Sequence, residues 1–345
     1  MVLSAKLNKA RKFIFKTIDL PSLGLKQQGK VRDIYNRPGK RILITTDRIS
    51  AFDRVLGYIP YKGQVLNQLS AFWFKKTKDI VANHLISLPH PNVAVVKEAK
   101  PYPVEMVVRG YISGVTNTSI WGSYEKGERM IYGIKFPDGL RKNQKLPYPI
   151  VTPTTKAKHG GHDQRLTEKE ILDKKLLSRK VWEEMKDASI KLYMRGNDIC
   201  RKKGLILVDT KYEFGEYNGK LMLIDELHTP DSSRFWTKES YNRIFNTDKR
   251  SEAPNRRSSD ARMQTSKGGK SGSGEPENFD KEFFRIWYVK QGYKGDGKPP
   301  KMSTELQLKT AVRYMKIYEM ITGKSFKGLE YPLEKLIAES LSKIF

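Results

Sequence analysis

The chain contains a single cysteine, Cys200, among its 345 residues. One cysteine excludes an internal disulfide framework and is typical of a reducing compartment, so we expect a cytoplasmic protein. No apolar run approaches the roughly 20 residues that a membrane-spanning helix requires, and we therefore expect no membrane partner. The apolar residues at 13–15 are too few for the apolar region of a secretory signal peptide, which needs about 7–15.

Acidic residues are scarce: 38 Asp and Glu stand against 65 Lys and Arg, which gives a net charge of +27. A positive field raises the local concentration and the association rate of anions. Nucleotides, phosphosugars, dicarboxylates and nucleic acid all meet that description, so composition alone does not choose among them. Residues 246–275 are rich in Ser and Gly and poor in apolar side chains, and we predict a flexible insert there.

An apolar run of strand length at 221–224 is followed at once by Asp225 and Glu226. The next residues, Thr229 and Pro230, predict a turn that presents residues 231–234, Asp-Ser-Ser-Arg. Carboxylates at a strand end suit Mg²⁺, and two hydroxyls beside an arginine suit a phosphate group. The alternative is a polar surface turn with a structural ion pair.

A second group of charged residues precedes this strand. Residues 204–208 predict a buried strand that continues into Asp209, Lys211 and Glu213, which period two places on one face. The Asn-Gly pair at 218–219 predicts a hairpin, so Glu213 and Asp225 should meet on neighbouring strands as ligands of a divalent cation. The alternative is a salt-bridge cluster centred on Lys211.

Near the N-terminus, Gly29 and Lys30 open a predicted hairpin of the kind that grips phosphates through backbone N–H groups and a lysine. A solvated hairpin is the competing interpretation. After the strand at 41–46, Arg48 and Ser50 are candidates for a further anion contact, against a helix cap with a local ion pair. The His-Gly-Gly-His-Asp run at 159–163 favours a polar loop over a zinc site, because few other histidines remain as ligands.

Six ordered blocks of sequence resemble the SAICAR synthetase family, the phosphoribosylaminoimidazole-succinocarboxamide synthases of purine biosynthesis. The blocks are Gly-Lys-Val-Arg-Asp at 29–33, Thr-Asp-Arg-Ile-Ser-Ala-Phe-Asp at 46–53, Met-Val-Val-Arg-Gly-Tyr at 106–111, Thr-Pro-Thr-Thr-Lys at 152–156, Val-Asp-Thr-Lys-Tyr-Glu-Phe-Gly at 208–215 and Asp-Glu-Leu-His-Thr-Pro-Asp-Ser-Ser-Arg-Phe-Trp at 225–236. The resemblance implies an α+β fold with a smaller, antiparallel β-rich ATP-binding domain at 1–110. A larger α+β domain at 111–345 would include the insert and a helical C-terminal segment at 279–345.

The resemblance also implies roles for individual residues. The nucleotide would contact Lys30, Arg32 and Lys156, with adenine on a hinge that contains Glu105, Met106 and Val108. The phosphosugar would contact Arg109 together with the turn residues Asp231, Ser232, Ser233 and Arg234. The metal would be held by Glu213 and Asp225, and the catalytic residues would be Lys156, Asp163 and Asp209. Either Asp163 or Asp209 would accept the proton of the attacking amine.

The implied reaction joins L-aspartate to the carboxylate of carboxyaminoimidazole ribonucleotide, with ATP and Mg²⁺, through an acyl phosphate. Phosphoryl transfer of this kind depends mainly on positioning and charge neutralisation. A small-molecule kinase would carry His-Arg-Asp, Asp-Phe-Gly or a glycine-rich loop motif, and the sequence has none of them. A nucleic-acid-binding protein would interleave exposed aromatics with its basic residues, whereas the aromatics here follow core spacings. The sequence leaves open whether the chain is a monomer or a homo-oligomer.

Overall fold

The computed structural model describes residues 2–114, 118–156, 163–251 and 274–345. The helices found in these ranges are α1 Val2–Lys12, α2 Lys62–Thr77, α3 Ile120–Tyr124, α4 Glu168–Asp173, α5 Arg179–Lys202, α6 Lys238–Ser251, α7 Lys281–Lys290, α8 Thr304–Thr322 and α9 Glu334–Ser342. Not one of these described helices is both long and apolar enough to cross a membrane.

The strands fall in groups between these helices along the chain. They are β1 Lys26–Gln28, β2 Arg32–Arg37, β3 Lys40–Thr45, β4 Arg48–Ala51, β5 Arg54–Tyr58, β6 Leu85–His90, β7 Val93–Lys97, β8 Lys100–Tyr111, β9 Met130–Ile131, β10 Ile134–Lys135, β11 Lys145–Val151, β12 Thr154–Thr155, β13 Leu205–Tyr217, β14 Lys220–Ile224 and β15 Ser233–Thr237.

The first sheet is antiparallel, with strand order β1-β2-β3-β7-β6. Its central hairpin, β2–β3, confirms the predicted hairpin that Gly29 and Lys30 open. Alternation along β3 buries Ile42 and Ile44 completely, because successive side chains point to opposite faces. These residues share one apolar core with Leu66 of α2, Phe284 of α7 and Tyr314 of α8, so the C-terminal helices pack with the N-terminal sheet.

The second sheet has strand order β11-β8-β13-β14, with β12 added beside β8 and β15 beside β13. Its inner strands β8 and β13 are the longest of the described chain, at 12 and 13 residues. Asn218 and Gly219 both have positive φ, 52° and 71°, and form the tight turn of the predicted β13–β14 hairpin. Helix α5 covers one face through buried Trp182 and Leu192, which leaves the other face for the polar residues of the site.

The passage between the two sheets lies at residues 98–99, where β7 of the first sheet leads into β8 of the second. The predicted domain boundary at 110/111 therefore falls at the far end of β8, inside the second sheet. The division into two domains stays a prediction.

Helix α6 is an element that the sequence analysis did not predict. It runs to Ser251, so the predicted flexible insert at 246–275 is wrong for residues 246–251. Residues 252–273 lie outside the described residues. The remaining end of the predicted insert is anchored, since Glu275 accepts a hydrogen bond from Asn143 at 2.9 Å and forms an ion pair with Lys142.

Helix starts follow local capping chemistry. Thr167 and Glu170 form a capping box at the start of α4, in which each side chain bonds the other residue's backbone N–H. Ser178 and Ser303 cap α5 and α8 in the same way through a side-chain oxygen. These caps fix where the helices begin.

Candidate active site

Three carboxylates lie side by side across the second sheet, on β8, on β13 and directly after β14. Glu213 pairs in register with Glu105 on one side and with Ile224, the residue before Asp225, on the other. The β13–β14 hairpin thus brings Glu213 beside Asp225, as the sequence predicted. We call Glu105, Glu213 and Asp225 the acidic row.

Cations surround the acidic row. Lys211 donates to Glu105 at 2.8 Å and to Glu213 at 2.6 Å, so the salt-bridge cluster weighed as the alternative is present. Lys156 reaches Glu213 at 2.5 Å. Arg32 of the first sheet bonds Asp225, which ties the two sheets together across the site.

The charges on the two sides of this contact stabilise each other. Burial alone would raise the pKa of Asp225, but Arg32 and then Lys211 hold it well below its usual range. Burial would likewise lower the pKa of the Arg32 guanidinium, but Asp225 and then Glu226 raise it above its ordinary value. Asp225 is thus a fixed anion at neutral pH.

The donor set of the acidic row fits Mg²⁺ better than zinc. Magnesium is bound through one or two carboxylates plus substrate phosphates, and Glu213 and Asp225 offer two adjacent carboxylates that are 11% and 20% exposed. Within the described ranges, no three His, Cys, Asp or Glu side chains are arranged as a metal site by themselves. His159 and His162 lie outside the described residues.

The N-terminal hairpin presents Lys30 and Arg32 to the same region. Lys30 is about half exposed and pairs with Asp53 at 2.7 Å. Arg48, a candidate for anion contact, is instead buried: it pairs with Asp33 at 2.8 Å and donates to the carbonyl oxygen of Gly29 at 3.2 Å. Its guanidinium braces the glycine turn from behind. Ser50 lies partly buried in β4, opposite Val55 of β5.

A pair of arginines flanks one carboxylate further along β13. Asp209 pairs in register with Arg109 of β8 and with Arg234 of β15. Its Oδ2 accepts from Arg234 at 3.0 Å and from Arg109 at 3.4 Å. Arg109 is held further by Thr152 Oγ1 at 2.8 Å. Two guanidiniums against one carboxylate leave a net positive charge that suits a phosphate.

The predicted turn that presents residues 231–234 is shorter than expected. Asp231 and Ser232 lie in the turn, whereas Ser233 and Arg234 already belong to β15. Ser233 is buried and donates to Thr210 at 2.8 Å. The Asp231 side chain is 1% exposed and points into the protein. The structure therefore brings Ser232 and Arg234 toward the site and turns Asp231 away.

Residues 105–108 do not form the open hinge that the sequence analysis expected. Strand β13 pairs with one edge of this stretch, and β12 and β11 pair with the other. Met106 and Val108 are fully buried in the apolar core that includes Leu192 of α5. Long-range pairing with β13 fills the edge that an open hinge would need.

Asp163 lies at the edge of the described region, exposed, and its charge acts on Glu105 of the acidic row. Glu226, which the sequence analysis set beside Asp225 as a strand-end carboxylate suited to Mg²⁺, accepts from Thr229 at 2.8 Å and lies 3.8 Å from Arg32.

The family relationship is decided by a match of the SAICAR synthetase family model to residues 25–255. The chain belongs to the SAICAR synthetase family. Phosphoribosylaminoimidazole-succinocarboxamide synthase of Legionella pneumophila is 47% identical over 317 residues, which cover 91% of this chain and 92% of that protein. The enzyme of the same name from Bacteroides thetaiotaomicron is 41% identical over 325 residues, 91% of this chain and 94% of that protein.

Solved structures agree with this assignment. SAICAR synthase from Saccharomyces cerevisiae, complexed with SAICAR, superposes with a TM-score of 0.71 at 29% identity, covering 91% of this chain and 100% of that one. A SAICAR synthetase in complex with ADP has a TM-score of 0.62 at 24% identity, covers 88% of this chain and 100% of that one, and shows the shared fold. The predicted α+β fold and the predicted SAICAR synthetase activity, an ATP-dependent ligase of purine biosynthesis, are confirmed. A nucleic-acid-binding role and a kinase role are not favoured.

Proposed function

We propose that one face of β13 carries the whole reaction, with the ribonucleotide phosphate at the arginine pair that flanks Asp209 and the reacting carboxylate near the cations around Glu213. Asp209, Lys211 and Glu213 alternate along a regular stretch of strand, so they share a face, and Asp209 and Glu213 are about 13 Å apart. The arginine pair lies at one end of this face and the acidic row at the other. A phosphosugar with a carboxylate at its far end fits that spacing, which is the observation that carries the proposal.

ATP is proposed to lie between the two sheets. Lys30 and Arg32 of the hairpin, together with Lys156, would bind its phosphates, because they bring three positive charges to the end of the site where the acidic row lies. Adenine is proposed to lie beside residues 98–99, which join the sheets, rather than on the paired backbone of 105–108. The N–H groups of Glu98 and Ala99 already donate to Gly39 and Lys97, so carbonyl oxygens would recognise the adenine amino group there.

Mg²⁺ is proposed to be held by Glu213 and Asp225. When bound, the ion would neutralise charge on the phosphates during transfer. The cations Lys156 and Arg32, now paired with these same carboxylates, would then turn to the phosphate oxygens. The protein thereby keeps the buried carboxylates paired whether or not nucleotide is bound.

In the proposed reaction, an oxygen of the ribonucleotide carboxylate attacks the γ-phosphorus of ATP, and ADP leaves. The amine of L-aspartate then attacks the carbon of the acyl phosphate, and phosphate leaves as the amide bond forms. Asp163 is assigned to accept the amine proton, because Asp209 is held between two guanidiniums and orients them. The cytoplasmic location expected from the single cysteine remains part of the proposal.

Arg234→Ala tests the ribonucleotide end of the site. Loss of a charge-assisted hydrogen bond costs about 1.5–3 kcal/mol, so we expect the KM for the ribonucleotide to rise roughly ten- to a hundredfold. The KM for ATP should stay within about twofold of its original value, since Arg234 of β15 pairs with Asp209, away from the acidic row. Steady-state kinetics with each substrate varied in turn measure both constants.

The matched control is Arg243→Ala, which removes an exposed guanidinium on α6 that pairs with Glu239. This variant should leave both constants unchanged. If Arg234→Ala weakens ATP and the ribonucleotide equally, the placement of the phosphate at the arginine pair is wrong.

A further inference from the structure

A cluster of ionised side chains is enclosed in the protein behind the turn that precedes β15. Its centre is Asp231, whose Oδ2 lies 2.8 Å from Lys62 Nζ and 3.0 Å from Lys281 Nζ. Tyr314 donates its hydroxyl to Asp231 Oδ1 at 2.6 Å. The side chains of Asp231 and Lys62 are 1% and 0% exposed, and that of Lys281 is 11% exposed. The cluster does not take part in the reaction proposed above.

The electrostatics show that Asp231 is held as an anion. Burial by itself would raise its pKa, but Lys281 and then Lys62 hold the pKa well below the usual range of a carboxyl. Breaking a buried pair by removing one partner is costly, because the other charge is left without compensation. These contacts therefore hold the Asp231 side chain in place.

Three separate elements converge on this carboxylate. Lys62 is the first residue of α2 and Lys281 the first of α7, while Tyr314 lies in the middle of α8. The backbone N–H of Lys281 also donates to the carbonyl oxygen of Pro230 at 3.3 Å. Two of the three elements, α7 and α8, lie beyond residue 255, where the matched family segment ends.

We propose that Lys281 and Tyr314 are positioning residues, through which the C-terminal helices set the turn that carries Ser232 and Arg234. Asp231 is three residues before Arg234, so a change in the position of Asp231 moves the Arg234 guanidinium relative to Arg109. Small displacements of a binding group cost large factors in binding and rate. The proposal rests on the proposed function, since it takes the arginine pair as the site of the ribonucleotide phosphate.

Tyr314→Phe is the smallest test, because it deletes one hydroxyl and keeps the ring in the core. We expect the KM for the ribonucleotide to rise roughly three- to tenfold, while the KM for ATP and for L-aspartate stays within about twofold. Tyr318→Phe is the matched control, as it removes a hydroxyl from the same helix away from Asp231 and should change none of the three constants. Equal changes in all three constants, or no change, for Tyr314→Phe would overturn the proposal.

Lys281 supplies an independent pair of variants. Lys281→Arg keeps a cation beside Asp231 and should hold the KM for the ribonucleotide within roughly threefold, whereas Lys281→Met should raise it roughly tenfold or more. If Arg and Met at this position are equally impaired, Lys281 acts through packing alone and the proposal fails. This pair decides the question if Tyr314→Phe lowers the thermal unfolding temperature.

Arg234→Ala, assayed alongside, separates the two proposals. If the KM for the ribonucleotide rises in Arg234→Ala but not in Tyr314→Phe or Lys281→Met, only the positioning role is wrong. An unchanged KM in Arg234→Ala shows that the arginine pair does not bind the ribonucleotide phosphate, and the proposed function fails with it.

Discussion

Asp225 has two charged neighbours that shape the site, Arg32 and Glu213. Its bond to Arg32 closes the site between the sheets, and its place directly after β14 sets it beside the Glu213 carboxylate. Two adjacent carboxylates are stable only beside compensating positive charge. Arg32, Lys156 and Lys211 supply that charge in the structure, and Mg²⁺ with ATP would supply it during the reaction.

Asp225→Asn should therefore raise the Mg²⁺ concentration required for half-maximal rate by roughly tenfold or more, about 1.4 kcal/mol of lost metal binding. The change keeps one oxygen but removes the charge that favours a divalent cation. The measurement is the initial rate as a function of Mg²⁺ at saturating ATP. Asp187→Asn, on the exposed face of α5, is the control.

Excess Mg²⁺ should restore much of the rate of Asp225→Asn. A variant that stays slow at every Mg²⁺ concentration, with an unchanged half-maximal value, would contradict the metal role of Asp225. In that case the residue would serve mainly to hold Arg32.

At this scale the sequence predicts chemistry better than exposure. Period two placed Asp209, Lys211 and Glu213 on one face, and the structure agrees because β13 is regular there. Nothing local distinguishes Asp231, which points inward, from Ser232 beside it, because the lysines that enclose Asp231 come from distant segments. Arg48 turned inward for the same kind of reason, since its partner Asp33 lies on another strand.

At the scale of elements, one buried carboxylate joins three parts of the chain. Asp47 accepts hydrogen bonds from the backbone N–H of Phe15, from that of Gly63 in α2 and from the hydroxyl of Tyr331, at 3.1, 3.1 and 2.6 Å. Burial raises the pKa of Asp47 to about 7, and the hydrogen bonds only partly offset that effect. The folded protein thus holds a proton that the unfolded chain releases near pH 4.

The stability that Asp47 contributes is therefore greatest below about pH 4 and is lost as the pH rises through about 7. We expect the difference in free energy of unfolding, wild type minus Asp47→Asn, to decrease as the pH rises from about 4 to about 7. The slope should approach about 1.4 kcal/mol per pH unit. Urea unfolding at several pH values measures it, and Asp280, whose burial also raises its pKa to about 7, cancels because both proteins contain it.

Asp138→Asn, which changes a side chain that is 90% exposed, should give a difference that does not vary with pH over this range. A difference for Asp47→Asn that stays constant, or grows as the pH rises, would show that Asp47 is charged in the folded protein throughout.

Elements with strong local signals were predictable, as the Asn-Gly hairpin shows. The capping box of α4 is a signal of the same local kind. The hinge at 105–108 was misplaced because local sequence does not show which strand will pair with an edge. Helix α6 was missed because the Ser-rich segment that follows it dominated the composition of that region.

At the scale of the whole molecule, the net charge of +27 fits an enzyme whose proposed substrates are all anions. Five of the six sequence blocks that identified the family run through the two sheets, and the block at 46–53 runs through β4 in its hairpin with β5. Blocks from the first sheet supply the hairpin cations, while those from the second supply the acidic row and the arginine pair. The C-terminal helices, which carry weaker sequence signals, cover the first sheet and approach the site through Lys281 and Tyr314. Asp280 also reaches it, since it accepts from the backbone N–H of Phe235, the neighbour of Arg234.

The most direct test of the central claim is release of ADP from ATP and Mg²⁺ in the presence of carboxyaminoimidazole ribonucleotide, with and without L-aspartate. We expect sustained ADP release only when both the ribonucleotide and L-aspartate are present, together with a succinocarboxamide product identified by mass. Sustained ADP release that does not require L-aspartate, or a folded protein that binds ATP and forms no such product, would contradict the account.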